Sequence, residues 1–175
     1  LKRIGNNSPR YRVGLNLDAA WKGIDFSIFF QGVLKRDWMF DAGDPYFWGA
    51  GSGMWQAACF EEHMDYWTPE NTDAYYPKPY FNETKNQQAQ DAYMQKASYL
   101  RCKNIQLGYT LPTHITEKAG ISNCRIYLSC DNLFTITGLS SVYDPEAFGS
   151  YDGYGTSGKT YPLQRTISVG VNLNF

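Results

Sequence analysis

Apolar and polar residues alternate with a period of two in five segments of the chain. In the final segment Ile167, Val169 and Val171 share one parity, while Ser168 and Asn172 share the other. Since successive side chains of a β-strand point to opposite faces of a sheet, this period indicates strands that are apolar on one face and polar on the other. The pattern predicts five strands, at residues 10–21, 24–32, 98–110, 124–131 and 163–175.

The third predicted strand breaks its own pattern. Arg101 and Lys103 share the parity of Ile105 and Leu107, and therefore belong by count to the apolar face. In a sheet that spans a membrane, charged side chains on the apolar face are tolerated best at the two ends of a strand, near the membrane–water interfaces. We therefore expect both charges to lie at one end of that strand.

The connections between the predicted strands alternate in length. The Lys22-Gly23 turn and residues 111–123 are the shorter ones, whereas residues 33–97 and 132–162 are the longer ones. In an antiparallel order, alternate connections leave from opposite ends of a sheet, so both long connections leave from the same end. Short turns at one end and long loops at the other are typical of outer-membrane β-barrels. A soluble β-sandwich can show the same order.

Composition narrows the classes of function. A formal net charge of −1 gives no basic field for nucleic acid. No apolar run reaches the roughly 18 residues that predict a transmembrane helix. Aromatic residues make up 17% of the chain, and they include 14 Tyr and 5 Trp, types that favour membrane interfaces and sugar-binding surfaces. The chain begins at Leu1 without a signal peptide, so we expect a fragment whose beginning lies upstream.

Residues that would indicate catalysis or metal binding do not form a recognisable site. No pair among the four cysteines has CxxC spacing, and the two histidines, His63 and His114, lie far apart in the sequence. GxSxG and HExxH motifs are absent. We predict no catalytic residues, no metal site and no cofactor, and the missing motifs also disfavour a hydrolase embedded in a barrel.

Short motifs along the chain resemble those of one known family, and they occur in that family's order. The longest is SYLRCKNIQLGYTLP at residues 98–112, which is similar to the segment SYLRLKNIxLGYTLP; Cys102 departs from it, where an aliphatic residue is expected. The others are PRY at 9–11, FQG at 30–32, YWTPEN at 66–71, DNLFT at 131–135, DPE at 144–146, Tyr161-Pro162 with Arg165, and VGVNLNF at 169–175. Together they resemble the SusC/RagA family of TonB-dependent outer-membrane transporters.

This resemblance implies an all-β fold, namely an antiparallel transmembrane β-barrel of about 22 strands with an N-terminal plug, of which the chain holds the last five strands. It implies a Gram-negative, Bacteroidetes-like outer membrane and its lipid bilayer, energy from TonB through the missing N-terminal part, and a SusD-like surface lipoprotein as a lid. The implied function is import of oligosaccharides or oligopeptides, glycan uptake included, and not an enzymatic reaction. The alternative is a soluble β-sandwich that binds carbohydrate.

The connection at residues 33–97 is rich in aromatic residues. A structureless loop of this length is uncommon unless it is functional or disordered, and aromatic residues argue against disorder. The rings either contact the ligand or the lid protein, or they form the core of the loop itself. The candidates for ligand or lid contact are Trp38, Trp48, Trp55, Trp67, Tyr75 and Tyr76.

The last residue, Phe175, ends an alternating strand on its apolar parity. This ending resembles the C-terminal signal that the barrel-assembly machinery reads. A bacterial barrel ends in the periplasm, so we expect Phe175 on that side. Residues 33–97 and 132–162 are then expected to be external loops.

Overall fold

The structure, a computed structural model, describes residues 2–52, 58–80, 85–147 and 161–175. Its strands are β1 (Arg12–Trp21), β2 (Ile24–Val33), β3 (Asp37–Trp38), β4 (Gln95–Thr110), β5 (Asn123–Gly138) and β6 (Thr166–Asn174). The helical elements are α1 (Thr113–Thr116) and the 3-10 turns Gly49–Ser52, Glu61–Met64, Lys85–Gln87, Asp91–Tyr93 and Glu117–Ala119. Within the described ranges, no helix is both long and apolar enough to span a membrane.

The chain divides into two compact units. The sheet unit consists of Pro9–Lys35, Ser98–Thr137 and Leu163–Phe175. The loop unit consists of Leu1–Ser8, Arg36–Ala97 and Gly138–Pro162. The loop unit is therefore assembled mainly from the two long connections of the chain.

The strands form one antiparallel sheet. Its order is β1-β2-β4-β5-β6, and β3 pairs with the first residues of β4. Consecutive strands of this order run in opposite directions, so the C-terminal ends of β2 and β5 lie at the same end of the sheet. The expected all-β antiparallel fold is confirmed. The two packed layers that a β-sandwich requires are not seen among the described residues.

Cross-strand pairing separates the sheet into an apolar face and a polar face. Residues directly opposite each other on neighbouring strands share a face. One row of the apolar face is Leu17, Ile28 and Ile105, and the adjacent row of the polar face is Asp18, Ser27 and Gln106. In the same way, Leu128 lies opposite Val169, and Ser129 lies opposite Ser168.

The apolar face is open along much of its length. Leu15 is 52% exposed, Leu107 is 50% exposed and Val169 is 74% exposed. Monomeric soluble proteins rarely expose so many neighbouring apolar side chains on one face. The face therefore favours an apolar surrounding, such as the hydrocarbon of a bilayer.

A β-bulge in β4 corrects the expectation for Arg101 and Lys103. Phe29 pairs with Asn104, but Phe30 pairs with Cys102, so Lys103 is the inserted residue of the bulge. The insertion reverses the parity of β4, and Arg101 comes to lie opposite Gln31 on the polar face. The expectation that Arg101 belongs by count to the apolar face was wrong, because counting by twos does not detect an inserted residue.

The hairpin between β1 and β2 turns at the two residues predicted to form it. Lys22 has φ +48° and Gly23 has φ +85°, while Trp21 pairs with Ile24. Two positive φ values belong to the type I′ turn, whose twist matches that of the flanking strands. Gly23 is also sterically required, since a Cβ atom there would approach the Thr110 carbonyl oxygen to 2.9 Å.

Strand β5 is longer than its sequence pattern predicts. It continues to Gly138 instead of ending at residue 131. Asn132 has φ +51°, and this irregularity lies at the point where the alternation stops being readable. Beyond it, Phe134 and Ile136 are again exposed apolar residues at the expected spacing.

The loop unit is folded around a core of aromatic rings. The Phe40 ring stacks on Tyr143 at a centroid distance of 4.2 Å and on Phe47 at 4.7 Å, and Phe47 meets Trp48 edge-on at 4.8 Å. The remaining buried members of this core are Tyr76, Tyr93, Ala97 and Leu139. Because Tyr143 and Leu139 come from the second long connection, the two connections share one core.

Candidate functional sites

Asp44 organises the core of the loop unit. Its Oδ1 atom accepts hydrogen bonds from the backbone N–H groups of Tyr46 and Phe47 and from the Tyr143 hydroxyl, at 3.0, 2.9 and 3.0 Å. Burial, and then the charge of Asp44, raise the pKa of Tyr143 above its ordinary value. Tyr143 thus remains a hydrogen-bond donor that stabilises the buried carboxylate.

Two of the predicted contact residues belong to this core. Trp48 is 5% exposed and Tyr76 is 6% exposed, and their rings face other aromatic rings. Burial raises the pKa of Tyr76, so its hydroxyl stays protonated at neutral pH. Most of the surface of these two rings therefore packs the loop unit, and a contact of Trp48 or Tyr76 with a ligand or lid stays a prediction.

The other predicted residues differ in their exposure. Trp67 and Tyr75 are each 39% exposed. Trp38 is half-buried in β3, and the guanidinium of Arg36 lies 4.9 Å above its ring. Trp55 lies outside the described residues. Trp67 and Tyr75 thus keep the most ring surface available for a partner molecule.

Trp67 is carried on a short hydrogen-bonded ribbon. Its N–H donates to the Tyr76 carbonyl at 2.9 Å, and the N–H of Tyr76 donates to the Asp65 carbonyl at 3.0 Å. The Asp65 carboxylate accepts from the Asn71 amide and the Tyr75 N–H, both at 3.1 Å, and these bonds hold the pKa of that carboxyl below its usual value. The ribbon therefore holds Trp67 in a defined position.

A groove opens beside this ribbon, with a volume of about 620 Å³. Trp67 and Tyr80 line it, together with Lys78, Lys85, Asn86 and Gln90. Sequence reasoning did not select Lys78, Lys85, Asn86 or Gln90. The Pro77-Lys78-Pro79 stretch beside Tyr80 is the feature of the sequence that could have indicated these residues. The sequence alone does not show that Trp67 lies next to that stretch.

On the polar face of the sheet, one ion pair links non-adjacent strands. Arg125 of β5 donates to both carboxylate oxygens of Asp25 in β2, at 2.9 and 2.5 Å, and to Oε1 of Gln106 in β4 at 2.9 Å. A Cβ atom on Gly108 would lie 2.5 Å from the Asp25 carboxylate and 2.6 Å from the Arg125 guanidinium. Glycine at this position therefore leaves the space in which the ion pair forms.

The same cluster continues to the last strand. The Arg125 guanidinium lies 4.9 Å from the Tyr127 ring, which in turn covers Gly170 of β6. A Cβ atom on Gly170 would collide with the Tyr127 ring. An aromatic ring laid across a strand glycine fills the missing side-chain volume and helps to fix the register. The cluster thus links four strands, β2, β4, β5 and β6.

Phe175 follows the last residue of β6 and is 87% exposed. Its role in barrel assembly stays a prediction. Among the residues that the structure describes, no group of three His, Cys, Asp or Glu side chains is arranged to hold a metal ion.

Comparison with known proteins gives relatives of one class. No protein-family profile matches the chain. Two receptors of Formosa agariphila are similar over nearly all of it: TonB-dependent receptor P3 is 30% identical over 99% of the chain, and TonB-dependent receptor P26 is 27% identical over 98%. The chain spans only 17% and 18% of the length of these two relatives.

Solved structures agree with the sequence relatives. The RagAB peptide importer in its "open-open" state is similar with a TM-score of 0.71 and 28% identity, over 96% of this chain and 17% of that one. The "closed-closed" state gives a TM-score of 0.72 and 26% identity, over 99% of this chain and 18% of that one. The fold and its relatives define the class as part of an outer-membrane β-barrel receptor. Within that class, the chain is a segment of a TonB-dependent receptor of the SusC/RagA type.

Proposed function

We propose that the full-length protein imports oligosaccharides or oligopeptides across the outer membrane with energy from TonB. The observation that carries this proposal is similarity over nearly the whole chain, in sequence to TonB-dependent receptors and in fold to the RagAB peptide importer. The exposed apolar face of the sheet supports it, because such a face suits the hydrocarbon region of a bilayer.

The loop unit faces the outside of the cell in this proposal. Barrels of the outer membrane have short periplasmic turns and longer extracellular loops. The Lys22-Gly23 hairpin and the α1 connection are the short turns, so they are assigned to the periplasm. The connections that follow β2 and β5 are assigned to the external side, and with them residues 33–97 and 132–162.

A SusD-like lipoprotein is the proposed partner at that external side. RagAB is a peptide importer, and the chain resembles the SusC-like component of that complex. Trp67 and Tyr75 support a protein contact, since aromatic rings provide large contact area at low cost in conformational entropy. Oligosaccharides and oligopeptides both remain candidate ligands, and the whole protein is proposed to form the barrel of about 22 strands that the resemblance implies.

Uptake by cells tests the proposed function. A strain that lacks the receptor gene is given labelled oligosaccharides and labelled oligopeptides, and accumulation is compared with that of the complemented strain. We expect receptor-dependent accumulation of one class, lost when TonB is deleted. Accumulation that continues without TonB would contradict the proposal. Affinity purification of the tagged receptor from detergent extracts is expected to bring down a surface lipoprotein in stoichiometric amount.

A further inference from the structure

We propose that the groove beside Trp67 binds an anionic saccharide, one whose sugar units carry carboxylate or sulfate groups. This inference rests on the proposed import function and names a ligand class for it. The groove is formed within the loop unit by residues of one connection. Its volume of about 620 Å³ falls inside the range of about 300–1,000 Å³ that is usual for small-molecule sites.

The aromatic residues of the groove suit sugar rings. Tyr76 and Tyr93 are buried and form part of its wall, while Trp67 and Tyr80 are 39% and 53% exposed. The ring faces offer flat apolar area against which the CH groups of a sugar can pack, and the hydroxyl and indole N–H groups supply polar contacts. The ribbon hydrogen bonds hold Trp67 in place before a ligand arrives, which lowers the entropic cost of binding.

The charge of the groove selects an acidic ligand. Lys78 and Lys85 are both among its lining residues, and each carries a positive charge. The ammonium of Lys78 lies 5.7 Å from the Tyr80 ring centroid, so charge and aromatic surface occur side by side. Asn86 and Gln90 also line the groove, and their side-chain amides carry both donors and acceptors, although the Gln90 amide nitrogen already donates to the Asn86 carbonyl oxygen at 3.2 Å.

The backbone of this wall is poorly suited to an extended peptide. Peptides that bind as an added strand need a row of backbone N–H and C=O groups. Pro77 and Pro79 have no N–H group, so only Lys78 can donate between them. The wall can therefore read a ligand mainly through side chains, and this favours a saccharide over a strand-forming peptide.

Equilibrium binding to the purified full-length receptor tests the proposal. The probes are oligogalacturonate and its fully methyl-esterified form, which share a backbone and differ in charge, with a sulfated and an unsulfated galactan oligosaccharide as a second pair. We expect the acidic member of at least one pair to bind at least tenfold more tightly, and this preference to weaken as salt is raised. Lys78→Met should abolish the preference, while Lys78→Arg should keep most of it. Lys96→Met, which removes an exposed lysine of the loop unit outside the groove lining, should leave it unchanged.

Three results would overturn the proposal. One is equal binding of acidic and neutral members in both pairs. Another is a preference that survives Lys78→Met. The third is tighter, Lys78-dependent binding of an acidic peptide such as tetra-aspartate, which would assign the groove to peptides. Binding to purified receptor needs neither TonB nor transport, so a failure of the proposed groove can be told apart from a failure of the proposed import function.

Discussion

Replacing Val169 by arginine tests whether the apolar face of the sheet contacts lipid. Val169 is 74% exposed and lies opposite Leu128. Strand β6 has nine residues, and Val169 is next to its middle residue, Gly170. If this face contacts lipid, the guanidinium of Val169→Arg must enter the hydrocarbon or distort the strand.

The expected cost follows from the depth of this position. Nine residues at about 3.3 Å each, tilted by about 40°, cross about 23 Å, close to the apolar band of about 25 Å in such barrels. Val169 is therefore close to the bilayer midplane. Arginine there costs about 2–4 kcal/mol. At 1.4 kcal/mol per factor of ten, the folded-to-unfolded ratio should fall roughly 30- to 700-fold.

Ser168→Arg is the matched control. Ser168 is adjacent in the strand, lies at nearly the same depth, and pairs with Ser129 on the polar face. Urea titration of full-length receptor variants in lipid vesicles measures both changes, and gel mobility before and after heating reports the folded fraction in cells. We expect Ser168→Arg to stay within about 1 kcal/mol of the unsubstituted receptor. Equal costs for the two variants, or a larger cost for Ser168→Arg, would refute the assignment of the apolar face to lipid.

Three further predictions concern packing and charge. Phe47→Ala, at a ring 1% exposed, should lower the stability of the loop unit by about 3–5 kcal/mol and lower hydrogen-exchange protection there but not at β5 and β6. Gly170→Val should displace the Tyr127 ring and reduce folded receptor in the outer membrane, more so than Gly14→Val in β1, where a Cβ atom would come no closer than 3.6 Å to the Phe29 ring. Lowering the pH through the depressed pKa of Asp65 should loosen the Trp67 ribbon, because the hydrogen bonds to this carboxylate stabilise the ribbon only while it is charged. Trp67 fluorescence should therefore change below about pH 4, and Asp65→Asn should abolish that change.

Much of the sheet could be predicted from the sequence because its information is local. The alternation of Ile167, Val169 and Val171 requires only the period of a strand, and Lys22-Gly23 requires only the chemistry of a two-residue turn. The bulge at Lys103 could not be predicted in this way. One inserted residue reverses the parity of everything before it, and its presence depends on pairing with β2.

The loop unit was less predictable, because its fold depends on contacts between distant residues. The hydrogen bond from the Tyr143 hydroxyl to Asp44 joins two connections that are separated along the chain by β4 and β5. An aromatic residue of the core, such as Trp48, looks the same in the sequence as an exposed one, such as Trp67. The polar residues of the groove, such as Lys78, could not be predicted from the sequence because they belong to no recognisable motif.

In the proposed topology, the loop unit faces the cell exterior and the α1 turn faces the periplasm. Cys59 is an exposed native thiol of the loop unit, and Glu117 is an exposed residue at the α1 turn. Intact cells expressing the full-length receptor are treated with a membrane-impermeant maleimide. We predict labelling at Cys59, loss of that label in Cys59→Ser, and labelling of Glu117→Cys in that background only after the outer membrane is permeabilised. Labelling of Glu117→Cys in intact cells, with Cys59 reached only after permeabilisation, would contradict this topology.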